Sequence, residues 1–211
     1  MRSVEISVSA VGIDCLTPLS PAMAKAAADF TIPGTRNKIS FFTRYLENIT
    51  ASELAGLLDT GLGVRFVSES REPGWIPSAG LGGADGLRTA TRAHTLGIPQ
   101  TDLWCDLESP AGTDQALIDY SVAWCDAAKT MGLPRMYEGE GLSLSPGGLY
   151  MLPFTGYWRS TSNVQPVATA DYMVYQLYDT QTWELSTGPL KVDIDFVCRD
   201  KRGRLPHMVI A

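Results

Sequence analysis

Five carboxylates interrupt or end apolar, strand-like runs: Asp14 in AVGIDCL, Asp106 and Glu108 in DLWCDLE, and Asp193 and Asp195 in KVDIDFV. A charged side chain inside an apolar strand is costly unless it is paired or wet, so several of them need a joint explanation. Asp106 and Glu108 are separated by one residue, so on a strand they share a face. Their carboxyl groups then lie within roughly 5–7 Å, given a rise of about 3.3 Å per residue. Like charges that close push one pKa upward. The result is a proton-holding acid beside an ionised carboxylate, the division of labour that glycoside hydrolysis uses. Taken singly the groups are less specific. An Asp-x-Glu pair is common on exposed strands, Asp14 alone could be a structural hydrogen-bonding residue, and Asp193 with Asp195 could be a solvated edge or metal ligands.

The elements that must position these groups alternate in type. Strand-length apolar runs occupy residues 10–16, 38–46, 63–68, 102–108, 135–141, 155–160, 171–178 and 191–197. Between the early ones lie helical patterns with their own start and stop signals. Ser20 precedes Pro21 as an N-cap, and Thr50 and Glu53 have capping-box spacing before a stop at Gly61. GADGLRTATRAHTLG reads as a helix stopped by Gly97, and residues 113–131 as the longest helix, stopped by Gly132 and Pro134. Strands alternating with helices imply βαβ units and a parallel sheet. Eight strands predict an α/β chain closed into a single (β/α)8 TIM-type barrel covering residues 1–211 as one domain. The connections between strands five and eight are too short for full helices, so short or missing helices are expected there. In such a barrel the carboxyl ends of all strands open on one face. Strands one and eight are neighbours and strand four lies across the mouth, so the five carboxylates are expected to line one cleft.

Bulk properties narrow the function classes. With 211 residues, 45% hydrophobic and 19% charged, the chain is globular and long enough for a core. The net charge of −6 argues against a nucleic-acid partner, which needs a basic patch. No apolar run approaches the length of a membrane span, and the amino terminus lacks the apolar core of a secretory signal. The four cysteines form no Cys-x-x-Cys pair. Buried free thiols are expected, with a disulfide between strand neighbours as the alternative. Only His94 and His207 are available as histidines, neither beside a Ser or Cys nucleophile, so a catalytic triad is not expected. GLGGADG has the wrong spacing for a phosphate-binding loop. No cofactor and no metal are expected.

Further residues at strand ends could contact a ligand. These are Glu69 after strand three, Arg44 and Tyr45 at the end of strand two, Glu138 and Glu140 at the end of strand five, Tyr157 and Trp158 at the end of strand six, and Gln176 and Tyr178 in strand seven. Arg44 could neutralise part of the acidic cluster. The aromatic rings suit the apolar face of a sugar, with core packing as the alternative.

In their order along the chain these motifs resemble a known family. GIDC is similar to the Gly-x-Asp opening of the family-25 glycoside hydrolases, the Chalaropsis-type muramidases. LWCDLES resembles their strand-four Asp-x-Glu and VDIDF their closing strand. GIDCLTPLSP, FFTRYLEN, GLGVRFVSES and the Ala-rich helix before LGIP resemble a related group still more closely. That group is the glycoside-hydrolase-like domains of actinobacterial secreted proteins and phage lysins. The resemblance covers residues 11–200. It implies a peptidoglycan substrate, or a related amino-sugar glycan, cleaved between N-acetylmuramic acid and N-acetylglucosamine. Glu108 would be the general acid, and Asp106 would stabilise the charge at the reacting sugar or orient its acetamido group. Asp14 and Asp193 would tune Glu108 and bind substrate. Asp195 stands where many family-25 members have Asn, and which of Asp193 and Asp195 faces the cleft is open. The expected protein is a monomeric lysin, held in the cytoplasm until released. A glycan-binding barrel without turnover is the second reading, and a metal-dependent hydrolase using Asp14, Asp193 and Asp195 the third.

Overall fold

The computed structural model describes residues 1–68, 71–142, 144–161 and 171–211, and for residues 146, 150, 178 and 179 the backbone alone. Eight strands close into a barrel: β2 (Val11–Asp14), β3 (Phe41–Tyr45), β4 (Gly63–Val67), β5 (Thr101–Leu107), β6 (Gly132–Glu138), β7 (Tyr157–Arg159), β8 (Val174–Leu185) and β9 (Gly188–Val197). Closure is made where Phe66 and Val67 of β4 pair with Leu103 and Trp104 of β5. Two short strands, β1 (Arg2–Glu5) and β10 (His207–Ile210), form an antiparallel ribbon. It joins the amino end of β4 through Val209 and Val64. The His207 backbone N–H donates to Asp102 Oδ2 at 2.8 Å, so the ribbon is also tied to β5.

The helices form where capping residues start them. Ser20 Oγ accepts from the Met23 N–H at the head of α1 (Pro21–Asp29), and Thr50 Oγ1 from the Glu53 N–H at α2 (Ala51–Leu58). Each satisfies a backbone donor that the first turn leaves orphaned. Ser78 and Thr113 do the same for α3 (Ala79–Thr95) and α4 (Asp114–Ala128). The glycine-rich stretch before Gly83, where the sequence suggests the helix to begin, already belongs to α3. Its reason is close packing: a Cβ on Gly82 would stand 2.1 Å from the Tyr120 carbonyl oxygen of α4. After β6 the described residues hold one further helix, α5 (Pro146–Tyr150), in line with the short late connections.

One expectation about the sheet fails. Strands β2 to β8 run parallel, but β9 is antiparallel to both β8 and β2. Leu185 pairs with Gly188, so only two residues separate β8 from β9. A connection that short makes a hairpin and cannot make a crossover. The reversed strand sets Asp193 opposite Asp14 and Asp195 opposite Gly12. Asp193 therefore stands at the barrel mouth and Asp195 one layer deeper.

Alternation along the strands divides the core. Outward-facing Ile13, Phe42, Val64, Phe66, Leu103, Cys105 and Ile194 pack under the helices. Inward-facing Tyr45, Val67, Trp104, Tyr137, Trp158 and Val174 fill the barrel. Phe41, Ile6, Val197 and Leu205 close its far end. Cys15, Cys105, Cys125 and Cys198 are free thiols, the first three buried. No described helix is long and apolar enough to cross a membrane.

Candidate active site

The mouth of the barrel is built from inward-facing residues at the ends of β2, β3, β5 and β6 and from the reversed strand β9. Asp14, Tyr45, Glu108, Tyr137, Lys191 and Asp193 line a hollow of about 550 Å³. A second hollow, of about 410 Å³, lies against the first and is walled by Asn48, Arg71, Glu72, Pro73, Ser109 and Glu140. Leu16, Tyr45 and Glu108 belong to both. Each volume is in the range of small-ligand sites, and Glu108 stands where the two meet.

Glu108 is held from both sides. Gly139, just after β6, lies under it so closely that a Cβ there would stand 2.1 Å from Glu108 Cγ and 2.5 Å from Oε1. On the other side the Trp75 indole N–H donates to the Glu108 carbonyl oxygen at 2.7 Å, and the Gly74 N–H to the Ser109 carbonyl at 2.8 Å. Ser109 itself has a φ of 42°, in the left-handed region that a non-glycine residue rarely adopts. The Trp75 loop is anchored in turn. Its ring meets Tyr120 edge-on, Tyr120 donates to Asp85 Oδ2 at 2.9 Å, and Arg71 Nε donates to the same oxygen at 2.8 Å.

Asp106 lies one step deeper than Glu108 and is 4% exposed. The Tyr45 hydroxyl reaches its Oδ2 at 3.5 Å, and its backbone N–H donates to Ser68 Oγ at 3.0 Å. Asp14 is buried beside it. Burial pushes the Asp14 carboxyl well above the usual carboxylate range. The neighbouring charges of Asp195 and Asp193 push the same way, while Arg65 opposes them. Burial, with the negative charges of Glu108 and Asp106 around it, also raises the Tyr137 phenol, so it stays a hydrogen-bond donor. Tyr137 gives that bond to Gln176 Oε1 at 3.0 Å.

The sequence expectations divide into residues that meet here and residues that do not. Asp14, Tyr45, Asp106, Glu108 and Asp193 converge at the mouth, with Gln176 attached through Tyr137. Asp195 is fully buried beneath them and takes no place in the cleft wall. Its Oδ2 lies 3.4 Å from Arg65, whose guanidinium is packed between the rings of Trp104 and Trp158 at 4.8 and 4.7 Å. Burial raises the Asp195 carboxyl and Arg65 lowers it. Arg44 faces away from the cleft because its neighbour Tyr45 faces in. It pairs with Glu53 at 2.9 Å and bonds the Cys15 carbonyl. Glu138 likewise faces outward and accepts from the Tyr172 hydroxyl at 2.5 Å. Trp158 is 1% exposed and supports the site from below, its ring 4.3 Å from that of Tyr137. Glu69 and the Tyr178 side chain lie outside the described residues. Sequence reasoning missed Tyr137, Lys191, Leu16 and the Arg71–Trp75 wall. Tyr137 is the chain neighbour of Glu138, and only the pairing of Tyr137 with Asp106 shows which of the two faces in.

Solved structures share this architecture. An uncharacterised protein of B. stearothermophilus superposes with a TM-score of 0.64 at 15% identity, covering 90% of this chain and 96% of its own. A glycosyl hydrolase 25 of Streptococcus pneumoniae, a virulence factor participating in host cell invasion, gives 0.58 at 11% identity over 90% and 87%. The fold is shared with a glycosyl hydrolase 25. The catalytic domain of an endolysin from bacteriophage P40 of Listeria monocytogenes gives 0.54 at 12% identity over 90% and 94%. No protein-family model and no curated protein matches the sequence. Likeness at this level is one of fold, so the chemistry must come from the residues of this chain.

Those residues can hold and move a proton. A half-buried carboxyl group at the junction of two hollows can reach a group bridging them. Buried carboxylates beneath it can face positive charge developing on one side of that bridge. Among the described residues no group of three or more His, Cys, Asp and Glu side chains is placed to hold a metal ion.

Proposed function

We propose that this chain is a peptidoglycan-degrading glycoside hydrolase of the muramidase type, acting as a lysin. The observation that carries the reading is the place of Glu108: it stands at the junction of the two hollows, fixed over Gly139 and by Trp75, directly above buried Asp106. A glycan laid across both hollows would put one glycosidic bond beside it. Glu108 would give its proton to the bridging oxygen as the bond to the anomeric carbon breaks. The bond's electron pair stays on that oxygen. Asp106 would face the positive charge left on the sugar or hold its acetamido group. Water then supplies hydroxide to the anomeric carbon and returns a proton to the carboxylates. Asp14, Asp193 and Tyr137 would bind the same sugar. The likeness to a glycosyl hydrolase 25 and to an endolysin catalytic domain supports both substrate class and lytic role.

Turbidity and reducing-end assays on purified peptidoglycan test the reading. Wild-type protein should clear the suspension and release reducing ends, and Glu108→Gln should abolish both while melting at a similar temperature. A wild-type protein that pellets with cell walls yet releases no reducing ends would instead be a glycan-binding barrel without turnover.

A further inference from the structure

The larger hollow is acidic on its floor and carries one cation on its wall. Lys191 lies on β9, two residues before Asp193, so both side chains face the hollow. With a carboxylate so near, a Lys would ordinarily pair. Among the described residues no carboxylate oxygen lies within 4.0 Å of its ammonium. Lys191 is exposed, and across the hairpin it pairs with the uncharged Thr182 of β8. The cation of the smaller hollow differs. Arg71 is committed to Asp85, at 2.8 Å from Nε, and its charge is spent on anchoring the Trp75 loop.

We propose that Lys191 is a specificity-determining residue that binds a carboxylate carried by the sugar seated over Asp14 and Asp193. This rests on the muramidase reading and names a feature of its substrate. In peptidoglycan only muramic acid bears an acidic arm, a lactyl ether that ends in a carboxylate or in a short peptide with carboxylates of its own. A single uncommitted cation at the wall gives such a substituent one place in the cleft that attracts it, and so a choice of orientation. The muramic unit is drawn to the Lys191 hollow and the unsubstituted glucosamine falls on the Arg71 side of Glu108. An opposite charge placed in one hollow only fixes which way round an asymmetric ligand binds.

The test compares native peptidoglycan with the same material after its carboxylates have been converted to neutral amides. A charge-assisted hydrogen bond predicts about a tenfold lower kcat/KM for wild-type protein on the amidated substrate. Lys191→Met should lose about the same factor on native peptidoglycan and nothing further on the amidated one, and Lys191→Arg should restore the preference. Equal loss on both substrates, or no loss on the native one, overturns the proposal. If wild-type protein releases no reducing ends from either substrate, the muramidase reading has failed. Pelleting of wild-type and Lys191→Met protein with native and amidated walls then decides the role of Lys191 by the same comparison.

Discussion

Replacing Gly139 by alanine isolates the positioning of Glu108 from the stability of the barrel. The new Cβ would stand 2.1 Å from Glu108 Cγ and 2.7 Å from Cδ. Carbon atoms settle at about 3.5–4.0 Å, so the Glu108 side chain must move by about 1.5 Å. It can, because it is half-buried at the rim of an open cleft. The backbone at Gly139 is not left-handed, so alanine brings no conformational penalty of its own there. An off-rotamer glutamate costs about 0.5–1.5 kcal/mol, which for a chain of this size lowers Tm by about 2–5 °C. Catalysis is less forgiving, since a misplacement of about 1 Å can cost about 100-fold. Gly139→Ala should therefore lower kcat on peptidoglycan about 100-fold with a small change in Tm, measured by reducing-end release and thermal unfolding. Full activity in this variant would refute the claim that Glu108 must sit where Gly139 lets it.

Three further outcomes follow from the same geometry. Trp75→Phe keeps the ring packing on Tyr120 but removes the indole N–H at 2.7 Å from the Glu108 carbonyl. It should lower kcat about tenfold with KM little changed, at the cost of about 1 kcal/mol of stability. Arg44→Met leaves the buried Glu53 carboxylate without its guanidinium. Breaking such a pair costs about 3–5 kcal/mol, so Tm should fall by about 10 °C while activity per folded molecule stays near wild type. A substrate-binding Arg44 would give the reverse. Glu138→Gln probes a pH dependence: burial raises the Glu138 carboxyl from 4.5 to about 7, with the Tyr172 hydrogen bond and Arg159 opposing. The folded state then binds the proton more tightly than the unfolded one. Its stabilising contribution is full below about pH 4.5 and is lost as pH rises through about 7, on the order of 3 kcal/mol. Denaturant unfolding from pH 4 to 8 should show wild-type stability falling more steeply than that of the variant.

The helix starts and the strand order were legible because capping residues and apolar runs act locally. Ser20 and Thr50 cap where their spacing places them. Side-chain direction within strands was harder to read. Parallel strands buried on both faces carry no polar alternation, so FFTRYL does not show whether Arg44 or Tyr45 faces in. It does show that both cannot, and that constraint alone removes one of the two. The reversal of β9 was also hidden, since a parallel and an antiparallel buried strand share the same composition. Its trace lay in the brevity of the chain between Leu185 and Gly188. Asp195 drew notice as a charge within an apolar strand, but its partner Arg65 lies 130 residues away and reaches it only once the barrel has closed.

Mass spectrometry of the soluble fragments released from purified peptidoglycan tests the central claim most directly, with wild-type and Glu108→Gln protein side by side. Fragments ending in a reducing muramic acid from the wild type, and none from the variant, are the predicted result. Fragments ending in reducing glucosamine or an anhydro sugar, or release that survives the loss of the Glu108 carboxyl, would contradict the account.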